Sequence, residues 1–274
     1  ISNPGDEWLV PEPFWVTYPT LIESINCKTR YIKTSLSNNW DINLYNLERE
    51  FEREYVKGII LCNPHNPLGK IYSDVFLKSL IDLSRKYNKW VICDEVYLSW
   101  SNASSILKFS KLDDKIISVG SFSKGWGLMG LRVGWILTPN KISKNIIALQ
   151  STWLTCCSNF SQCIALKILG KRWKLDWKNL ETQAKKWYKV FDKHGIIYTK
   201  WEGGIYLFPQ LGKIVPNTSE LCKDLLNHGL AIMPGKDFGC KSHVRITLQT
   251  DSEVMNKAIK IFGKYLIDLD KKTN

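Results

Sequence analysis

Residues 121–135 read SFSKGWGLMGLRVGW. They put Lys124 at the end of the apolar run DKIISVG (114–120), follow it with a glycine-rich turn, and set Arg132 eight positions further on. A β-branched run ending in a serine-flanked lysine reads as a strand that delivers an amine to one end of a sheet, which in an open α/β sheet is where ligands collect. Lysine can serve there as a covalent anchor, while arginine with its planar fork and neighbouring backbone amides can hold a phosphate. The stretch therefore requires other strands beside it.

Those strands are legible. DEWLVPEP (6–13), TRYIKTSL (29–36), VKGIILCNP (56–64), KWVICDEVY (89–97), DKIISVGSFSK (114–124) and RVGWILTP (132–139) are short, apolar and rich in β-branched residues. Between them SDVFLKSLIDLSRKYN (73–88) spaces Val75, Leu77, Leu80, Ile81 and Leu83 at helical intervals behind Ser73 as N-cap. Strands alternating with helices predict an α/β fold, a mostly parallel sheet with flanking helices. A long helical region (144–195) then leads away from the sheet. A smaller α+β unit follows, with strands in IIYTKWEGGIYLFPQL (196–211) and HVRITLQT (243–250) around a helix at SELCKDLLNHG (219–229). The predicted division is a large domain at 1–178 and a small C-terminal domain at 179–274.

Composition narrows the function. The chain has 274 residues, enough for two cores, with 44% hydrophobic and 23% charged residues. No apolar run approaches the ~18 residues of a membrane span, so no membrane partner is expected. Eight scattered cysteines without a C-x-x-C pair, and four isolated histidines (His65, His194, His228, His243), give no zinc pattern. No metal is expected, and reduced thiols point to a cytoplasmic protein. The net charge of +12 is spread over helical segments such as KKWYKVFDKHG (185–195) rather than gathered into one basic, aromatic-interleaved block, so no nucleic-acid partner is expected.

Three polar segments fall at strand ends: CNPHNPLGK (62–70), CDEVY (93–97) and SFSK (121–124). Singly, each candidate has an ordinary reading. Asp94 is equally a strand-end turn or cap, and Asn66 belongs to Asn-Pro turn chemistry. Lys124 reads as a surface lysine, Arg132 as an ion-pairing arginine, Trp15 as a core tryptophan and Arg245 as an edge-strand arginine. Their joint order is harder to explain this way.

In that order the segments resemble the class I and II aminotransferases, pyridoxal-phosphate enzymes of fold type I. NPHNPLG is similar to the family's N-P-x-N-P-x-G, DEVY to its D-x-x-Y strand end, SFSK with GLRVG to its S-x-S-K and G-x-R-x-G signature, HVRITL to its carboxylate-binding arginine strand, and PEPFWVTYP to the segment with the ring-stacking aromatic. The resemblance implies an aminotransferase moving an amino group between an amino acid and a 2-oxo acid through an internal aldimine on Lys124. It further implies that Lys124 moves the proton, Asp94 pairs with the pyridine nitrogen, and Tyr97 and Asn66 bond the phenolic oxygen. Trp15 would stack on the ring, Ser121, Ser123 and Arg132 grip the phosphate, and Arg245 binds the substrate carboxylate, with Asn66 beside it. A homodimer is the implied assembly. The same cofactor also serves carbon–sulfur lyases and synthases of this fold, and a non-catalytic relative would keep the fold without Lys124 carrying the cofactor. Relatives have an N-terminal arm and a phosphate-binding helix ahead of the segment matched by PGDEWLVPEP (4–13); the expectation is a large domain that lacks these and exposes apolar surface. STWLTCCSN (151–159), where a dicarboxylate-binding arginine is expected, has none, which favours neutral or aromatic substrates.

Overall fold

The computed structural model describes residues 1–169, 177–212 and 214–273. All six predicted strands of the first sheet form: β1 (Glu7–Glu12), β2 (Lys28–Lys33), β3 (Val56–Cys62), β4 (Trp90–Asp94), β5 (Ile116–Ser121) and β6 (Gly134–Leu137). Their order is β2-β1-β3-β4-β5-β6, parallel throughout except β6, which runs antiparallel to β5 with Gly120 opposite Trp135. The β5–β6 reversal is made by the glycine-rich turn after Lys124.

Alternation along the strands sorts the side chains onto two faces. Leu9, Ile59, Leu61, Val91, Cys93 and Ile116 pack against Leu47 and Phe51 of the helix at 44–51 and against the helix at 74–87. In chain order the helices are α1 (Thr17–Glu23), α2 (Leu44–Phe51) and α3 (Asp74–Tyr87). Ser73 caps α3 as predicted, its side chain accepting from Phe76 N. The buried stripe of α3 is Leu77, Leu80, Ile81 and Ser84, whereas Val75 is 72% exposed. Val75 lies two residues from Leu77, hence on the far side of a 3.6-residue turn. Neither α1 nor α2 is evident from periodicity: α1 is seven residues long and α2 is largely polar.

The opposite face is covered at only one end. Trp8 and Val10 pack with Tyr18 and Ile22 of α1. Ile60, Ile92 and Val119 instead line an apolar cavity of about 340 Å³ with Trp15 and Asp94. Trp90 and Ile117 face a second cavity of about 800 Å³ beside α5 (Asn140–Trp153). Parallel sheets normally bury both faces, so this one is half-dressed. α5 buries none of its residues, and α6 (Asn159–Leu169) buries Ser161 and Ala165. Ile147, Trp153, Phe160 and Leu166 stand exposed. Part of the predicted helical region, 170–176, lies outside the described residues.

The second sheet has the order β7-β9-β8: β7 (Tyr206–Leu207), β8 (Met233–Pro234) and β9 (Val244–Thr247), antiparallel. Of the strands predicted within 196–211, β7 forms and Ile197 bridges to Gln210. The chain bends at Gly203–Gly204, where Glu202 N and Gly203 N both donate to Gly69 O. α7 (Trp177–Lys193), α8 (Thr218–Asn227) and α9 (Ser252–Thr273) surround this sheet, and Trp187, Phe191, Leu225 and Phe262 are fully buried among them. Trp8, Tyr97, Trp201 and Tyr206 belong to the same apolar cluster as these helices, which joins the two sheets.

Candidate active site

Asp94 ends β4, with Cys62 of β3 and Val119 of β5 beside it in register. Parallel pairing thus brings it to the carboxyl edge of the sheet, the edge predicted to gather ligands. Its Oδ2 accepts from the Tyr18 hydroxyl at 2.7 Å and its Oδ1 from Val96 N at 3.2 Å. Among the described residues no cation pairs with it. Burial pushes its carboxyl above the usual carboxylate range, against the opposing pull of those two donors. Burial and the adjacent Asp94 charge likewise push the Tyr18 phenol well up, so Tyr18 remains a donor. Trp15 stands edge-on to Tyr18 at 5.3 Å and walls the cavity that Asp94 enters.

A second group lies between the sheets. Gly69 has φ +66°, and a Cβ there would stand 2.4 Å from the Tyr206 carbonyl oxygen. Glycine therefore lets the NPHNPLG turn close against β7. The turn presents Asn66, whose Oδ1 accepts from Arg245 Nη1 at 3.1 Å and whose Nδ2 reaches Tyr97 Oη at 3.5 Å. The Tyr97 and Tyr206 hydroxyls are 3.3 Å apart. Burial pushes the Tyr97 phenol far up, with the Tyr206 neighbour adding to it. The Arg245 guanidinium lies 4.2 Å from the Tyr206 ring centroid and 4.6 Å from that of Phe238. No carboxylate of the described residues pairs with it.

The third group is the 121–132 segment. Ser121 caps the four-residue helix α4 (Phe122–Gly125) by accepting from Ser123 N at 2.9 Å. Phe122 is buried against Trp126 and Trp135, which fixes the root of the loop. The Lys124 amine is 3.8 Å from Met129 Sδ, and its carbonyl accepts from Trp100 Nε1 at 2.7 Å. Arg132 is left-handed at φ 53° and donates from Nη1 to Met129 O at 3.1 Å. Neither cation has an acidic partner among the described residues.

The nine predicted residues thus fall into three adjoining groups: Asp94 with Trp15; Asn66, Tyr97 and Arg245; and Ser121, Ser123, Lys124 and Arg132. Tyr18 and Tyr206 were missed. Tyr18 lies three residues past Trp15, about one helical turn, a spacing that could have flagged it, whereas Tyr206 is 109 residues from Tyr97 and nothing local marks it.

These groups fit pyridoxal phosphate. Asp94 offers an uncompensated carboxylate in an apolar cavity, suited to a protonated ring nitrogen; Lys124 offers an amine with no acid to neutralise it; Arg132 and Arg245 offer two guanidiniums without carboxylates, suited to a phosphate and a substrate acid.

The description "Aminotransferase class I and II" matches residues 1–262. An aspartate aminotransferase of Thermotoga maritima is 29% identical over 97% of this chain and 71% of its own length. One of Pyrococcus abyssi is 28% identical over 96% of this chain and 70% of its own length. The crystal structure of an aspartate aminotransferase from Thermotoga maritima superposes with a TM-score of 0.90 at 27% identity, covering 97% of this chain and 71% of that one. A match of this extent, on a sheet that carries the family's segments to one edge, places the chain in the class I and II aminotransferases as a pyridoxal-phosphate-dependent enzyme that transfers an amino group between amino acids and 2-oxo acids.

Proposed function

We propose that the three groups act together as the transamination site, with the large domain at 1–178 binding the cofactor and the small domain at 179–274 contributing Arg245. The observation that carries this reading is the unpaired Asp94 carboxylate in the Trp15-walled cavity. When bound, the cofactor supplies a conjugated ring that accepts the electron pair left at the substrate α-carbon. Asp94 holds a proton on the ring nitrogen, and Tyr18 holds Asp94 in place by its 2.7 Å hydrogen bond. Trp15 covers one side of the ring and keeps water out. Tyr97 and Asn66 direct donors at the phenolic oxygen.

Lys124 would hold the cofactor through its amine and, freed by the substrate amine, would serve as the base and acid that moves the proton at the substrate α-carbon. Ser121, Ser123 and Arg132 hold the phosphate. Arg245 binds the substrate α-carboxylate by two parallel hydrogen bonds, oriented by Asn66. The relatives are named aspartate aminotransferases. Here residues 151–159 carry no arginine, and Phe238, Tyr206 and Met233 surround Arg245, which favours neutral or aromatic side chains over dicarboxylates. The enzyme works in the cytoplasm as a homodimer, for which exposed Ile147, Trp153, Phe160 and Leu166 supply apolar contact surface.

The test is to mix the chain with pyridoxal phosphate, reduce with borohydride and map the labelled lysine by mass spectrometry. Label confined to Lys124 supports the site. Label spread over surface lysines overturns it.

A further inference from the structure

Tyr206 touches two groups that bind different parts of the reaction, and nothing described so far gives it a task. It sits on β7, with its neighbour Leu207 paired to Ile246, the residue after Arg245. Its ring lies 4.2 Å under the Arg245 guanidinium, and its hydroxyl is 3.3 Å from that of Tyr97. The two tyrosine rings meet edge to face at 5.6 Å. Only 8% of Tyr206 is exposed, and its carbonyl is pinned against Gly69, so the ring is held from both sheets.

These contacts use two different parts of one side chain. The ring face attracts a guanidinium whose burial would otherwise disfavour its charge. The hydroxyl lies against that of Tyr97. Of the two directions open to that hydrogen bond, the one in which Tyr206 donates to the Tyr97 oxygen leaves the Tyr97 proton free to point at the cofactor, and a donor that is itself an acceptor is a stronger donor.

We infer that Tyr206 is a positioning residue with two separable actions: its ring presets Arg245 for the substrate carboxylate, and its hydroxyl turns Tyr97 toward the cofactor's phenolic oxygen. The inference rests on the roles proposed above for Arg245 and Tyr97. It predicts that the two actions can be removed one at a time.

The experiment compares Tyr206→Phe and Tyr206→Leu in the full chain loaded with pyridoxal phosphate. Two quantities are read: KM for the 2-oxo acid, and the pH midpoint of the cofactor's visible absorption band. Tyr206→Phe keeps the ring. It should leave KM within twofold and move the midpoint upward by roughly half a pH unit, the size of one neutral hydrogen bond, because a weaker donor at the phenolic oxygen leaves more electron density to hold the proton. Tyr206→Leu removes both parts. It should move the midpoint equally and also raise KM by roughly 3–30-fold, the range of a desolvated cation–π contact.

Arg245→Gln and Tyr97→Phe separate failure of this inference from failure of the underlying reading. If Arg245→Gln leaves KM unchanged, or Tyr97→Phe leaves the midpoint unchanged, the proposed site itself is wrong and the inference falls with it. If both controls behave as proposed, an unmoved midpoint in Tyr206→Phe, or KM rising as much in Tyr206→Phe as in Tyr206→Leu, overturns the role of Tyr206 alone. Should Tyr206→Leu not fold, Tyr206→Phe still decides: a shifted midpoint at constant KM is a split that a purely structural role does not produce.

Discussion

The two sides of the cleft are held in different ways. On one side Asp94 is tied to Tyr18, and Asn66 to Tyr97 and Arg245, with Tyr97 and Asn66 buried and these side-chain contacts joining distant segments. On the other, Ser121, Lys124 and Arg132 belong to one local segment rooted by Phe122, and among the described residues their cations find a thioether and a backbone carbonyl as partners. Packing and hydrogen bonds together orient the first side. The second presents charge that waits for an anion and a carbonyl carbon. The contrast teaches that this fold spends its core on the groups that tune the ring, and leaves the groups that capture it on a turn.

The comparison makes its sharpest demand at Lys124. Lys124→Ala should lower kcat by roughly 10²–10⁴-fold, the scale of a lost positioned acid–base group, while the Tm of the cofactor-free protein changes little because the amine's contact among the described residues is a single 3.8 Å approach to Met129 Sδ. A large loss of Tm would mean that the open side is structural after all. Next in size, Arg132→Ala should weaken retention of pyridoxal phosphate by roughly 10–100-fold, the worth of a charge-assisted hydrogen bond, measured by dialysis and absorbance. An unchanged affinity would remove Arg132 from the phosphate grip.

The packed side should respond in stability. The Asp94 carboxyl is raised in the fold, so its charged form costs stability at neutral pH; that cost is absent below the ordinary carboxylate value and grows as pH rises through the folded value. Asp94→Asn should therefore raise the Tm of the cofactor-free protein at pH 7 by roughly 2–4 °C, about 1 kcal/mol in a chain of this size. The gain should fade toward pH 4 even as catalysis is lost. A lower Tm at pH 7 would show that Asp94 is paired.

The smallest effect belongs to His243, stacked on Phe208 at 4.9 Å and held by burial down to about 4. A depressed histidine stabilises the fold above its unfolded value, near 6.5, and that contribution is lost as pH falls through about 4. His243→Gln should flatten the acid-side decline of Tm by about 1–2 °C. An unaltered decline would assign the acid sensitivity elsewhere, with His65, held at about 3, as the next candidate.

Much of the sheet was readable because its strands are short apolar runs, most of them with β-branched residues, that alternate with helix-like segments. The open side of the site was readable for the same reason it is open: SFSK and GLRVG are contiguous, so residue order carries their geometry. The packed side was readable only in its family-like segments. The Tyr18–Asp94 contact joins residues 76 apart, and the Arg245–Asn66 contact joins residues 179 apart. Neither pairing leaves a periodic trace, since it depends on which strands become neighbours. Within 196–211 only Tyr206–Leu207 forms a strand, because Glu202 N and Gly203 N donate to Gly69 O, a contact with the distant Asn66 turn that nothing local in the sequence marks.

The half-dressed sheet face has a practical consequence. Asp94 and Trp15 share their cavity with Ile60, Ile92 and Val119, so an environment-sensitive dye such as anilinonaphthalene sulfonate should lodge in the same trough that receives the cofactor ring. Its fluorescence then becomes an optical gauge of occupancy, dimming as pyridoxal phosphate is titrated in and requiring neither substrate nor turnover.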